Sequence, residues 1–325
     1  MHPEEVLAAD IGATKTNMAV LRWDENRFSP GKQATYPTKT FASIETMIRE
    51  FLGNDRMPAK VCLAVAGPVK QNKVNLTNVH WQIDGQQLSD HYRKPVLLIN
   101  DLEATAYGLA VLEGRDVHLV HEGEKDEGNV AIIAPGTGLG EAGLYFTDGS
   151  YYPFATEGGH CSFAPRTDTD MELGRFIQKS FGHVSWERVV SGPGICTLYD
   201  FLRYEKEREE PAWIREKMLL HDKATVITSN AGECALCKEA LDLFLRYLAE
   251  ESANLVLKLK ATGGLFIAGG IVPHLLPFLH EGDFLKWFSN CGRMKSFLQA
   301  VPVQVVLNTK APLLGAACFG IGSDR

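Results

Sequence analysis

Long apolar runs are missing from this 325-residue chain. The best candidates, 265–272 and 275–279, are short and are separated by Pro273 and His274. No membrane-spanning helix is therefore expected, and no membrane partner. Cysteine is sparse as well. The seven cysteines are scattered and odd in number, which does not fit a disulfide framework and makes free thiols the expectation. Excess positive charge is also absent. Lys and Arg total 33 against 40 Asp and Glu, a formal net charge of −7. That balance argues against a nucleic-acid backbone or an anionic membrane surface as partner. It leaves phosphate ligands open, because backbone amides can cradle an anion locally. No low-complexity tract or short repeat occurs. The opening Met1-His2-Pro3-Glu4-Glu5 is acidic, unlike a secretory signal, so a cytoplasmic setting is expected.

What is present is a pattern found twice. Val6–Thr14 followed by Asn17–Leu21, and Val130–Gly140 followed by Ala142–Phe146, both read as a buried strand, a Gly/Thr turn and a returning strand. Two such hairpins a domain's length apart suggest two similar halves. Further strands are expected at 61–66, 96–99, 265–268 and 303–307. Helices are expected at 103–112, 171–181, 195–207, 234–260 and 311–319. The alternation indicates an α/β architecture. The charged stretch 205–230 reads as a surface connection. The acidic, glycine-flanked 122–128 reads as a junction, which sets a boundary near 110–130.

Several turns carry candidate chemistry. In Asp10-Ile11-Gly12-Ala13-Thr14, a carboxylate ends a buried strand and a glycine brings backbone amides toward a ligand. The hydroxyls of Thr14 and Thr16 suit phosphate oxygens, and Asp10 suits a hydrated Mg²⁺ that bridges phosphates. An ordinary hairpin with a solvated aspartate fits the same residues. Pro135-Gly136-Thr137-Gly138-Leu139-Gly140 lacks both the spacing of a dinucleotide fingerprint and a terminal Gly-Lys-Ser/Thr, so a phosphate-cradling hairpin fits it better. Gly269-Gly270 allows a flat group close to the backbone, or simply tight strand–helix packing. Asn100-Asp101 ends a strand and opens a helix. Capping is the plain explanation. The sharper one makes Asp101 a general base and Asn100 a substrate ligand. Glu157-Gly158-Gly159-His160, with His183 and Glu187 further on, fits recognition of a polyol. A zinc site there lacks an evident third ligand. Cys234 and Cys237 read as core thiols on one helix face.

In this order the segments resemble the bacterial hexose-kinase family called glucokinase, within the actin-like, hexokinase-like ATPases. The resemblance runs from Leu7 to about Gly320. It rests on Ala9–Thr14, Leu76-Thr77-Asn78, Ile99–Asp101, Gly136–Gly140, Glu157–His160, Gly182–Gly194 and Ile267–Pro273. It implies a two-domain, ribonuclease H-like α/β fold with a cleft between a small and a large domain, 1–110 plus 301–325 and 111–300. It implies ATP-dependent phosphorylation of glucose at the 6-hydroxyl in glycolysis, ATP and Mg²⁺ as cofactors, and a homodimer. Asn100, Asp101, Glu157, His160 and Glu187 would hold the sugar, with Asp101 as the base. Ala9, Asp10, Ile11, Gly12, Ala13, Thr14, Gly136 and Thr137 would hold the phosphates. Asp10 would reach Mg²⁺ through water, and Gly269 and Gly270 would lie near the nucleoside. Ala13 stands where the family usually has a second glycine. Lys15-Thr16 is closer to the related repressor/kinase sugar family, but the cysteine-rich zinc motif of that family is missing, with only Cys161 nearby. The alternatives are a kinase for another hexose or amino sugar, and a sugar-responsive regulator. The early strand at Val6 leaves no room for a regulator's N-terminal DNA-binding module.

Overall fold

A computed structural model describes residues 4–24, 27–76 and 79–322. Thr77-Asn78, part of one resemblance segment, lie outside the described residues. The chain divides into two compact units, 1–116 with 153–155 and 308–325, and 117–152 with 156–307.

The first unit is built on a five-stranded sheet in the order β3-β2-β1-β4-β7. Its strands are β1 (Glu4–Ile11), β2 (Lys15–Asp24), β3 (Arg27–Pro37), β4 (Lys60–Val65) and β7 (Val96–Asn100); β5 (Lys73–Leu76) and β6 (Trp81–Asp84) form a separate ribbon. β1 pairs antiparallel with β2 and parallel with β4, and β4 pairs parallel with β7. All six residues of β4 are buried, as expected for a strand covered on both faces. One face lies under α1 (Ile44–Leu52) and α2 (Gly85–Tyr92), through Met47, Ile48, Phe51 and Leu88. The other packs Val6, Ala8, Cys62 and Ala64 against α3 (Asp101–Leu109) and α12 (Ala311–Gly322). A side chain at Gly315 would collide with the carbonyl of Ala104, so the α3–α12 crossing requires a bare Cα there.

The second unit repeats the plan. Its six-stranded sheet runs β11-β10-β9-β12-β13-β8, from β8 (Val117–His121), β9 (Val130–Pro135), β10 (Leu139–Thr147), β11 (Ser150–Thr156), β12 (Gly264–Ile267) and β13 (Val303–Val306). β9 pairs antiparallel with β10 and parallel with β12, and β12 pairs parallel with β13. The order and directions match those of β2-β1-β4-β7, so the two glycine-turn hairpins found in the sequence do open equivalent sheets. The unit's helices are α4 (Asp168–Phe181), α5 (Gly192–Tyr204), α6 (Ala212–Leu220), α7 (Lys223–Ser229), α8 (Ala235–Leu259), α9 (Val272–Leu275), α10 (Glu281–Phe288) and α11 (Lys295–Ala300). α8, with Leu241, Phe244, Tyr247 and Leu248 fully buried, lies in the middle of the core.

Some sequence expectations shift. Residues 205–230 are not a bare connection but contain α6 and α7. Residues 301–325 are divided: β13 pairs within the second sheet, and α12 packs in the first unit. Residues 122–128 lie inside the second unit. Among the described residues no helix is long and apolar enough to cross a membrane.

Candidate active site

In the first unit, β1 delivers Asp10 to the end of the sheet and the chain turns at Gly12, Ala13 and Thr14. The turn is closed by Gly12 N donating to Lys15 O at 3.1 Å. Ala9 and Ile11 are buried in the sheet, so their side chains face the core and only their backbones can serve a ligand. Asp10 accepts from Asn17 Nδ2 at 3.2 Å, and Asn17 Oδ1 in turn accepts from Thr35 Oγ1 at 2.9 Å. Burial pushes the Asp10 carboxyl above the ordinary aspartate value, against the Asn17 hydrogen bond and the Lys15 charge, which favour its ionised form. Thr14 is exposed at the turn. Thr16, expected to face phosphate, is instead fully buried, with its hydroxyl 2.9 Å from that of Thr38. Thr38 is a residue that sequence reasoning missed. Its Oγ1 donates to Gly12 O at 2.8 Å and its backbone N–H donates to Thr14 O at 3.1 Å. It pins both sides of the turn from 22 residues beyond Thr16, with no local signal to reveal it.

At the end of β7 the plain expectation is that the Asp101 carboxylate caps α3. The cap is Asn100. Its Oδ1 accepts from Leu102 N at 2.9 Å and Glu103 N at 3.3 Å, and its Nδ2 donates to Gly67 O at 3.2 Å. Asp101 is the first helical residue, its Oδ1 accepting from Leu102 N at 3.0 Å. A carboxylate in the first turn is favoured by the helix dipole. Capping by Asn100 means that Asp101 is not needed to close the helix.

In the second unit, Gly136, Thr137 and Gly138 turn β9 into β10, with Gly136 N donating to Gly138 O at 2.8 Å. The start of α5 is held against this turn, because Gly192 N donates to Gly136 O at 2.8 Å. Ser191 caps α5, its Oγ accepting from Gly194 N at 3.0 Å and donating to Glu187 O at 2.7 Å. Gly269 joins the same assembly. Its φ is +96°, and a side chain there would strike the carbonyl of Pro135, so glycine is needed for both conformation and approach. The turn, the α5 N-terminus and Gly269-Gly270 therefore form one continuous small-residue surface, suited to a flat base and phosphates.

Within this unit, Glu187 and the segment that carries Glu157 and His160 meet at Leu139. Glu187 Oε2 accepts from Leu139 N at 3.1 Å. The short 3-10 turn Gly158–His160 lies on the other side of the same residue, Gly159 pressing on its carbonyl. Glu157 and His160 are exposed, with Oε2 and Nε2 3.9 Å apart. Cys161 O accepts from Trp186 N at 3.0 Å, which ties this segment to the one that carries Glu187. His183 stands apart, 3.2 Å from Ser162 Oγ through its Nε2. No group of three or more metal-ligating side chains occurs among the described residues. Cys234 and Cys237 are buried at the start of α8, where Cys234 Sγ accepts from Cys237 N at 3.4 Å.

The glucokinase family model matches residues 7–321. The chain belongs to the glucokinase family. A glucokinase of Synechocystis sp. is 39% identical, with 96% of each chain covered. One of Nostoc punctiforme is 36% identical over 96% of this chain and 97% of the relative. Among solved structures, the glucokinase of an Antarctic psychrotroph matches with a TM-score of 0.83 and 34% identity, covering 98% of this chain and 99% of that one. A Streptomyces griseus glucokinase of the ROK family, solved with glucose and AMPPNP, matches with a TM-score of 0.66 at 18% identity, covering 98% and 99%. The family and the actin-like α/β fold expected from the motifs are thus both met.

Proposed function

We propose that this protein phosphorylates glucose at the 6-hydroxyl with ATP as donor, and that Asp101 is the general base. The observation that carries the base assignment is the division of labour at the end of β7. Asn100 closes α3 with its amide oxygen, and the adjacent Asp101 carboxylate stands at a strand's C-terminal end, where α/β sheets bind ligands. Family membership at 39% identity supports the reaction and the sugar.

Asp101 accepts the proton of the 6-hydroxyl as that oxygen attacks the terminal phosphorus of ATP and the bond from that phosphorus to the β,γ-bridging oxygen breaks, releasing ADP. Asn100 contributes the remaining N–H of its amide to the sugar. In the second unit, Glu157, His160 and Glu187 accept and donate hydrogen bonds at sugar hydroxyls, with Glu187 oriented by the Leu139 N–H. The Gly12–Thr14 and Gly136–Thr137 turns present backbone amides and hydroxyls to phosphate oxygens. Gly269-Gly270 accommodates the nucleoside. Little covalent chemistry falls to the protein in phosphoryl transfer, so positioning and electrostatics set the rate.

A single carboxylate at Asp10, steadied by Asn17, fits a Mg²⁺ that keeps most of its waters and is held mainly by nucleotide phosphates. When bound, the ion offsets phosphate charge. A homodimer, a cytoplasmic setting and a place in glycolysis complete the reading, on the strength of the family resemblance.

The test is Asp101→Asn. The amide keeps the shape and a hydrogen-bonding group, so glucose binding measured by calorimetry should persist. Turnover in a coupled ADP-release assay should fall by about 10²–10⁴-fold, the usual contribution of a general base. Turnover near the parental rate would refute the base assignment. A panel of hexoses and amino sugars run alongside tests the substrate.

A further inference from the structure

Directly beneath the Glu157–His160 segment lies a carboxyl that the reaction does not use. Glu141 on β10 is 1% exposed, and Glu251 on α8 is fully buried. The two carboxyl groups lie close enough to act on each other, and the buried Glu141 Oε1 has no other hydrogen-bond partner among the described residues. Glu251 also accepts from Asn254 Nδ2 at 2.8 Å and from Lys258 Nζ at 3.4 Å. Glu141 Oε2 lies against the Cα of Gly158, close enough that any side chain at 158 would overlap it. Thr156 Oγ1 ties the same place together, donating to Glu141 O at 3.1 Å and accepting from Gly158 N at 3.2 Å. Gly158 is the residue between Glu157 and Gly159-His160, so its height above β10 sets where Glu157 and His160 stand.

We propose that Glu141 is a positioning residue for sugar binding, a buried platform on which the Glu157–His160 segment rests, held in place by Glu251. The proposal depends on the reading that Glu157 and His160 hold the sugar.

Two ionised carboxylates in contact in the core would repel one another, so one proton stays with the pair. It belongs on Glu141, because Glu251 has Asn254 and Lys258 to stabilise its charge. Burial pushes the Glu141 carboxyl up to about 8, with the charge of Glu251 adding to the effect and that of Lys258 opposing it. The ionisable groups that act on it are thus both on α8. From β9 the opposing residue is Ile133, and from the overlying segment the nearest groups are the Thr156 hydroxyl and the Gly158 backbone. Glu157, on that segment, is exposed beside His160. Below about pH 8 the carboxyl is neutral and donates to Glu251. As pH rises through that value the proton leaves, a second negative charge appears beside Glu251, and the platform under Gly158 is pushed apart.

The experiment is a pH profile of sugar kcat/KM from pH 6.5 to 9.5 for the parent, Glu141→Gln, Glu141→Leu and Glu157→Gln. The parent should lose sugar kcat/KM above about pH 8, chiefly through KM. Glu141→Gln, whose amide donates to Glu251 as the neutral acid does, should rescue the pH 7 value to within about twofold and abolish the alkaline decline. Glu141→Leu should raise sugar KM about tenfold or more at every pH, with KM for ATP little changed. An alkaline decline that is the same in Glu141→Gln as in the parent, or missing from the parent, overturns the proposal. Should Glu141→Gln not fold, as judged by thermal unfolding, Glu251→Gln takes its place. Removing that neighbouring charge removes the repulsion, so the alkaline decline should disappear, and a decline that persists unchanged overturns the proposal equally. Glu157→Gln separates the two layers. An unchanged sugar KM there refutes the site assignment, whereas a raised KM with no effect of Glu141 refutes only the platform.

Discussion

Gly138→Ala offers a test of the sugar site that leaves the fold intact. The φ of Gly138 is not in the left-handed region, and what a methyl group would meet is the carboxylate of Glu187, well inside the 3.0 Å that real Cβ atoms keep. The obstacle is the far end of a flexible side chain, so the carboxylate withdraws and the backbone stays. Its hydrogen bond from Leu139 N is already 3.1 Å long, near the upper end for N–H···O, so withdrawal breaks it. A hydrogen bond to a charged group contributes about 1.5–3 kcal/mol, and Glu187 is only half-buried, which favours the lower figure. At about 1.4 kcal/mol per factor of ten, sugar KM should rise about tenfold. Steady-state kinetics with each substrate varied in turn measure this, and kcat and KM for ATP should stay within about threefold. Gly138→Ala added to Glu187→Gln should cost little more than Glu187→Gln alone, since both act on one interaction. A full further tenfold loss in the double variant would show that the effect runs through the turn itself and refute the orienting role of Leu139 N–H.

Thr38→Val keeps the volume but removes the hydroxyl that donates to Gly12 O and meets Thr16; KM for ATP should rise by about tenfold while sugar KM stays put, in the same assays. Asp170 on α4 is fully buried, bonded at 2.8 Å to both Arg246 Nη2 and Tyr247 OH, and Asp170→Asn should cost about 3–5 kcal/mol in urea unfolding because it leaves Arg246 with a weakened partner. Burial alone would raise the Asp170 carboxyl, but the Arg166 N–H, the Tyr247 and Thr167 hydroxyls and the Arg246 charge outweigh it and hold it below the ordinary aspartate value. The sign follows: its contribution is present above that ordinary value and is lost as pH falls through the lowered folded one, so the urea midpoint of the parent should drop between about pH 5 and 3, with a smaller drop for Asp170→Asn. Among the cysteines only Cys161 is exposed, whereas burial pushes the thiols of Cys196 to about 11 and Cys318 to about 12; a thiol reagent at pH 8 should label Cys161 first, and the labelling sites read by mass spectrometry check this.

The parts of this fold that can be read from sequence are those whose cause is local. A buried strand closed by a glycine turn announces itself within about a dozen residues, so both hairpins, the Asn100-Asp101 junction and the long helix at α8 are visible in one dimension. β3 is not, because its eleven residues are mostly exposed and an edge strand without apolar alternation looks like loop. α6 and α7 hide for a related reason: charged and threonine-rich segments carry a weak helical signal, and each buries only one or two side chains, Ile214 in one and Val226 with Ile227 in the other. At the site, the turns and the acidic residues were legible as types, but the partners that orient them were not. Thr38 reaches the first turn across a strand, and Leu139 serves Glu187 from 48 positions away. Backbone N–H groups carry no residue identity, so no pattern of letters could mark the one that orients Glu187.

The duplication sharpens why the two halves carry different chemistry. The sheets share strand order and direction, and in both the first strand ends at a glycine turn held from outside, by Thr38 in one and by Gly192 in the other. At the equivalent position, two residues before the turn glycine, the first strand carries a carboxylate, Asp10, and the second carries Ala134, which has no side-chain charge. One charged turn suits a metal-bearing phosphate, while the uncharged one suits phosphate oxygens directly, and Gly269 packed against it suits close approach of the nucleoside. Exchanging the roles is therefore not symmetric. Asp10→Asn should weaken Mg²⁺-dependent ATP use, whereas Gly269→Ala, which must displace the carbonyl of Pro135 and adopt a φ of +96°, should lower affinity for the nucleoside even without the ion. Binding of adenosine and of ATP to both variants, measured by calorimetry with and without Mg²⁺, separates the two. Equal losses for adenosine in both variants would refute the division.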